Sequence, residues 1–326
     1  MNIIFFGKHS NDWMNVLNSK LITDFSKHTN ANIREITNVY DINKLTNMDL
    51  SSTYIIPLME NHMIDLHNKN IKGLMPSIEN IKMFSCKKKF ASYVKHNNLE
   101  QYTPKVYESF DEINTDNNGM YIIKPYNLSN GEKMKITKIV EKSDFENNIV
   151  QEYIENIIEY TTYAVSKNGK IIKHITYGCN FGSPCHIKRH PVNTTNMSRV
   201  DLDDKYITQL ESFLHNCGYT GISNTDFIIC DGKIKVFEIN PRLGGGLVRI
   251  DRCDLVEMLY EAIKQQDLSS YSVNTRVYDI FIDNRNYNYH FEVIESVLQK
   301  YNEILHTSIL PKDVIFYLSI EQNPSF

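Results

Sequence analysis

Residues 233–246 read Lys-Ile-Lys-Val-Phe-Glu-Ile-Asn-Pro-Arg-Leu-Gly-Gly-Gly. The first eight form an apolar, strand-like stretch, and Pro241 ends the run because proline cannot donate to a sheet ladder. Side chains two apart share one face of an extended chain, so Glu238 and Asn240 point the same way. A carboxylate and an amide oxygen side by side make half of a hard-cation site. Arg242 follows at once, with a planar fork suited to phosphate. Gly244–Gly246 let backbone approach a ligand closely. This one segment implies a magnesium–nucleotide site on a strand.

Its partner strand is Thr225–Cys230, joined through Asp231-Gly232 as a hairpin. Register decides the chemistry. A strict two-residue turn puts Asp226 on the face opposite Glu238. An odd loop or a β-bulge puts both carboxylates on one face, where they can share cations. The metal reading therefore predicts such an irregularity.

The chain has 326 residues, 41% hydrophobic and 23% charged, a globular profile long enough for two or three layers or domains. A net charge of −4 argues against a general nucleic-acid binder, which needs a basic surface to release counterions. No apolar run approaches the roughly 20 residues that span a bilayer. Met1–Gly7 reads as a buried strand rather than a signal peptide. The six cysteines show no CxxC and no zinc spacing, which suits free thiols in a reducing cytoplasm. Neither GxGxxG nor GxxxxGK[ST] occurs where a dinucleotide or P-loop fold would need it.

Strand and helix signals alternate at the start: Asn2–Phe6, Asp12–Phe25, Tyr54–Pro57, Glu60–Asn70. That order predicts a small α/β layer with parallel strands, closing at Pro76. Ser77–Asn97 reads as one helix with Lys87, Lys88 and Lys89 near its middle. Tyr121–Pro125 is a strand carrying Lys124, followed by the polar turn Asn127–Gly131, either an ordinary turn or an anion-binding nest. Ile149–Ile154 is a further strand. Tyr160–Ser166 and Lys170–Thr176 form a hairpin about Asn168-Gly169. The loop Gly178–Val192 holds Cys179, Asn180, His186, Lys188, Arg189 and His190. Lys205–Cys217 and Asp254–Gln265 are helices, and the tail from Ser270 reads strand, helix, strand.

From roughly Ser77 to Gln265 the chain resembles the ATP-grasp superfamily, of the carboxylate–amine/thiol ligase, carbamoyl-phosphate-synthetase-like type. The matching residues are Ile123-Lys124-Pro125, Gln151-Glu152-Tyr153-Ile154, Glu159, Asp226-Phe227-Ile228, and Glu238-Ile239-Asn240-Pro241-Arg242 with Gly244-Gly245-Gly246. The resemblance implies a mixed α/β and α+β fold. A Rossmann-like pre-ATP-grasp domain would span 1–76. An ATP-grasp domain of two α+β subdomains gripping ATP would span 77–268, and a C-terminal β-α-β extension 269–326.

Roles carry over position by position. Lys124 and Lys87 resemble the phosphate-contacting lysines, and Ser129-Asn130-Gly131 the loop that closes over the phosphates. Glu152, Tyr153 and Ile154 resemble the hinge that reads adenine, and Glu159 the ribose acid. Asp226, Glu238 and Asn240 resemble the ligands of two Mg2+ ions, with Mn2+ an alternative metal. Arg242 resembles the arginine that stabilises the transferring phosphoryl group. Lys188, Arg189, Gly245 and Arg249 are candidates to touch substrate, and Glu60 and His62 to line the same cleft. The phosphate loop holds only one glycine, and Glu155–Ile158 lacks the family's usual glycine and is one residue longer.

The resemblance implies an ATP-dependent ligase that activates a carboxylate as an acylphosphate, joins it to an amine, and releases ADP and phosphate. The expected partners are small-molecule carboxylate and amine substrates, an amino acid among them, with a homodimer as the expected assembly if there is one. No nucleic acid or membrane is expected. A biotin/bicarbonate-type carboxylase and a non-catalytic ATP-binding protein are the alternative readings.

Overall fold

A computed structural model describes residues 2–9, 13, 21–22, 24–25, 33–48, 50, 53–113, 119–127, 131–187, 197–247 and 252–265. The chain forms two compact units, 1–271 and 272–326. The expected β-α-β extension over 269–326 lies outside the described residues, and so do Ser129, Asn130, Lys188, Arg189 and Arg249.

The N-terminal layer is a parallel three-stranded sheet of β1 (Asn2–Phe6), β2 (Glu35–Val39) and β3 (Thr53–Pro57), in the order β2-β1-β3. β3 is buried along its whole length, as a strand covered on both faces must be. α1 (Ile42–Thr46) joins β2 to β3, and α2 (Glu60–Asn68) follows β3. Of the helix expected over Asp12–Phe25, residues 13, 21, 22, 24 and 25 are described, and all are helical.

Ser77–Asn97 is two helices rather than one, α3 (Ile78–Phe84) and α4 (Lys87–His96). Cys86 between them is extended, with φ −120 and ψ 114. The break moves Lys87 from mid-helix to the first residue of α4, where its N–H donates to Tyr126 O at 3.1 Å.

Two antiparallel sheets follow. The four-stranded one runs β4 (Val106–Tyr107), β7 (Asn148–Glu152), β5 (Tyr121–Pro125), β6 (Lys135–Thr137) in space. The five-stranded one runs β10 (Met197–Val200), β9 (Lys170–Asn180), β8 (Ile158–Lys167), β11 (Gly221–Cys230), β12 (Lys233–Asn240). Asn168 and Gly169 both take positive φ, as a tight hairpin needs. α5 (Asp204–His215) packs on one face of the larger sheet through Leu210, Phe213 and Leu214, against Phe227 and Val236. α6 (Arg252–Gln265) covers the other face, where Tyr163, Val165 and Ile222 share a core with Ile3, Phe5 and Ile56 of the first layer. The smaller sheet has its own core of Tyr121, Ile123, Val140 and Val150. Alternation along β5 therefore turns Tyr121 and Ile123 inward and Ile122 and Lys124 toward the larger sheet.

Candidate active site between two sheets

The facing sides of the two sheets enclose a cleft of about 840 Å³, part of it open to solvent. Ile122, Lys124, Gly131, Glu152, Tyr153, Ile154, Glu159, Asp226 and Glu238 all line it, although they are spread over more than a hundred positions of sequence.

The carboxylate pair depends on one backbone irregularity. Cys230 pairs with Lys233 around a two-residue turn, and the ladder runs regularly to Phe227↔Val236. Regular register would then set Phe237 opposite Asp226. A bulge intervenes, and Asp226 pairs with Glu238 instead. The irregularity that the metal reading requires is a bulge, not a longer loop. It also brings in a residue that alternation had turned away. Phe237 lines the cleft beside Glu238, and Lys124 Nζ stands 5.2 Å from its ring centroid.

Asp226 is buried, and its Oδ1 accepts from the Thr161 hydroxyl at 2.5 Å. Asn240 Nδ2 donates to Glu238 Oε1 at 3.2 Å, which leaves the amide oxygen on the far side of the group. Directly opposed carboxylates repel unless a cation joins them. Among the described residues no three His, Cys, Asp or Glu side chains gather as a metal site. The third protein oxygen would come from Asn240. Two carboxylates and an amide oxygen are all hard donors and fit a divalent cation such as magnesium.

Lys124 is 7% exposed. Burial is the main cause that takes its pKa from 10.5 to about 8. Glu238 opposes that fall, and Lys87 adds to it. Lys87 and Lys124 also share the wall of a second, smaller hollow with Phe237 and Gln151. Lys88 lies over the Tyr126 ring at 5.4 Å, and Lys89 is exposed. Of the three lysines, Lys87 is the one beside Lys124.

The sign of a pH effect follows. An anionic phosphate favours the ammonium form of Lys124. In the ligand-free protein that form is lost as pH rises through about 8, far below the ordinary lysine range. Above that pH, nucleotide binding must take up a proton, so affinity is expected to fall between pH 7 and 9. Titration calorimetry in buffers of different ionisation enthalpy checks this. A pH-independent affinity with no proton uptake would contradict it.

Three groups outside the cleft make long-range contacts instead. Arg242 does not line the cleft. Its Nε donates to Glu60 Oε1 at 2.8 Å and its Nη1 to Leu243 O at 3.0 Å. Glu60 opens α2, so this ion pair ties the N-terminal layer to the end of the metal strand. His62 packs edge-on against Phe6, and burial lowers its pKa. Trp13 Nε1 donates to Gly244 O at 3.3 Å. No local sequence signal foretells such long-range contacts.

Gly245 lies in the turn after β12, beside Gly244, whose close packing leaves no room for a Cβ. A Cβ on Gly244 would meet Tyr163 Cε1 at 2.5 Å and Asn224 Cγ at 3.0 Å. Gly244→Ala is expected to cost about 1–3 kcal/mol through overpacking. A melting curve equal to wild type would contradict that packing.

In the hinge, Glu152 N–H donates to Lys105 O at 2.8 Å and Tyr153 N–H to Met120 O at 2.9 Å. Tyr153 Oη contacts Pro184 O and accepts from His186 N–H. Glu159 is buried, with His186 Nε2 3.9 Å from its Oε2. His186 stacks on Phe181, their centroids 3.9 Å apart.

Residues 86–246 match the family model of the ATP-grasp domain. The chain is similar to the multifunctional protein pyr-3 of Neurospora crassa, 24% identical over 261 residues that make up 72% of this chain and 14% of that protein. It spans only 11% to 14% of the length of the curated relatives it matches. D-alanine–D-alanine ligase from Bacillus anthracis superposes with a TM-score of 0.53 at 14% identity, covering 81% of this chain and 98% of that one. Phosphoribosylamine–glycine ligase from Thermotoga maritima superposes with a TM-score of 0.55 at 13% identity, covering 82% and 76%. At such identities the likeness is one of fold. Through residues 86–246 the chain carries an ATP-grasp domain.

Proposed function

We propose that the chain is an ATP-dependent ligase that joins a carboxylate to an amine. One observation carries the reading: Asp226 and Glu238 stand opposite each other, through a bulge, in a cleft they share with the buried ammonium of Lys124. Asp226, Glu238 and Asn240 would hold the magnesium that the resemblance implies. When bound, magnesium neutralises charge on phosphoryl oxygens. Lys124 and Lys87 supply fixed positive charge to the phosphates, without reorganisation at the moment of transfer. Ile122 and Phe237 offer apolar walls to the base, with the Ile154 N–H as the hinge donor for its edge and Glu159 for the ribose.

A substrate carboxylate oxygen attacks the γ-phosphorus, the bond to ADP breaks, and an acylphosphate forms. The amine then attacks the acyl carbon, phosphate departs, and the amine gives up a proton. Water must be kept out, because it would hydrolyse the acylphosphate. Arg242, paired with Glu60 outside the cleft in this conformation, is assigned to the transferring phosphoryl group on the resemblance alone. Ser129 and Asn130 are assigned to the phosphate loop with Gly131, and Lys188, Arg189, Gly245 and Arg249 to the substrates. The pre-ATP-grasp role of residues 1–76, an amino-acid substrate and a cytoplasmic setting belong to the same proposal. Among the described residues no helix is long and apolar enough to cross a membrane.

Phosphate release from ATP, measured over a grid of acids and amines, tests the reaction. Release is expected only where both partners are present. Bicarbonate-dependent release with no amine, or tight ATP binding with no turnover in any pairing, would overturn the ligase assignment.

A further inference from the structure

Asn156 lies between the hinge and Glu159, in the stretch where the sequence departs from the family pattern, and it lines the cleft. Its Nδ2 donates to Ile154 O at 3.1 Å. A carbonyl only accepts, so this bond fixes the amide, with nitrogen toward Ile154 and oxygen away from it. That Oδ1 is buried and has no hydrogen-bond partner among the described residues. A buried acceptor without a donor costs free energy, and in a native protein it points to a missing partner.

The surroundings indicate which end of a nucleotide supplies the donor. Asn156 N–H donates to Pro184 O at 3.1 Å, seating the residue on the segment that carries His186. His186 Nδ1 lies 3.0 Å from Ser183 O, a carbonyl that only accepts, so Nδ1 bears a proton. Its Nε2 is 3.9 Å from Glu159 Oε2. This side of the cleft therefore gathers two acceptors, the Asn156 amide oxygen and the Glu159 carboxylate. Such a set is matched by a ligand carrying adjacent hydroxyl donors, which a ribose has and a deoxyribose has only in part.

We infer that Asn156 is a specificity residue for the nucleotide sugar, its Oδ1 accepting a hydrogen bond from a ribose hydroxyl so that ATP is favoured over its deoxy analogues. The inference rests on the nucleotide-site reading above. The amide oxygen is uncharged, so it reads the hydroxyl without adding repulsion toward the triphosphate.

The test is equilibrium binding of ATP, 2′-deoxy-ATP, 3′-deoxy-ATP and ITP to the full chain without co-substrates. Wild type is expected to bind ATP about tenfold more tightly than one of the deoxy analogues, as a site with an otherwise unmet acceptor does. Asn156→Leu should bring ATP down to the affinity of that analogue, leave the analogue unchanged, and so collapse the ratio. Asn156→Asp keeps an acceptor and should keep the ratio, even if the lost bond to Ile154 O shifts all nucleotides together. Equal loss for ATP and the analogue in Asn156→Leu would mean a hinge-shaping role and overturn the inference. So would a changed ATP-to-ITP ratio with the deoxy ratio intact, because the base would then be what is read. Wild type binding none of the four would overturn the nucleotide site itself.

Discussion

Glu238→Gln should lower turnover by about 10³-fold, the scale set by removing a key electrostatic group from a phosphoryl-transfer site. The substitution keeps size and hydrogen bonding, and Asn240 Nδ2 can still donate to the retained carbonyl oxygen. It removes the charge that faces Asp226 across β11 and β12. The fold should be spared, since relief of two opposed carboxylates is neutral or favourable in the metal-free protein. The loss should appear as weaker magnesium-dependent nucleotide binding, with metal-free nucleotide binding unchanged or slightly tighter. Steady-state turnover and nucleotide titrations with and without magnesium measure both. Near-normal activity in this variant would refute the metal assignment.

Lys124→Met should move stability and function in opposite directions. Lys124 carries its charge in a buried position, and burial is the main cause of its low pKa. A fall from 10.5 to about 8 corresponds to about 3 kcal/mol of unfavourable burial of the charge at neutral pH. Methionine fills similar space without that penalty, so the ligand-free variant should melt no lower than wild type. Nucleotide affinity and turnover should fall by about 10²-fold or more, because the fixed charge beside Glu238 is gone. The unfolded lysine binds a proton up to its ordinary pKa and the folded one only up to about 8, so wild-type stability should rise with pH between these values, and the variant should lose that rise. Calorimetry of both proteins at pH 7 and 9.5, paired with nucleotide titration, reads all of these. A variant that melts well below wild type would show that Lys124 is structural.

Most strands were readable because each combines period-two alternation with a clear stop. Pro125 ends β5, Pro241 follows β12, and Asn168-Gly169 turns β8 into β9. The segment Glu238–Asn240 was legible for the same reason, and the need for an irregularity opposite Asp226 could be stated from parity alone. What could not be read was its form. The bulge marks the alternation only by the adjacent apolar pair Val236-Phe237, which reads equally as ordinary strand residues, and so Phe237 was missed as a cleft residue. β2, with Glu35, Thr37 and Asn38 in a five-residue strand, has too weak an apolar pattern to stand out. The split between α3 and α4 was hidden because Ser85-Cys86 breaks no propensity rule strongly, and the Lys87 N–H bond to Tyr126 O is a tertiary contact. The Glu60–Arg242 pair joins residues 182 positions apart, which no local pattern encodes.

The central claim is that Asp226 and Glu238 grip a divalent ion carrying the nucleotide's terminal phosphates. Crystals of the full chain grown with Mn2+ and a non-hydrolysable ATP analogue, with anomalous diffraction recorded at the manganese edge, test it most directly. The account predicts an anomalous peak between Asp226 and Glu238 within coordination distance of both, with the triphosphate running toward Lys124. Manganese bound elsewhere, or a nucleotide whose phosphates avoid this pair, would contradict it.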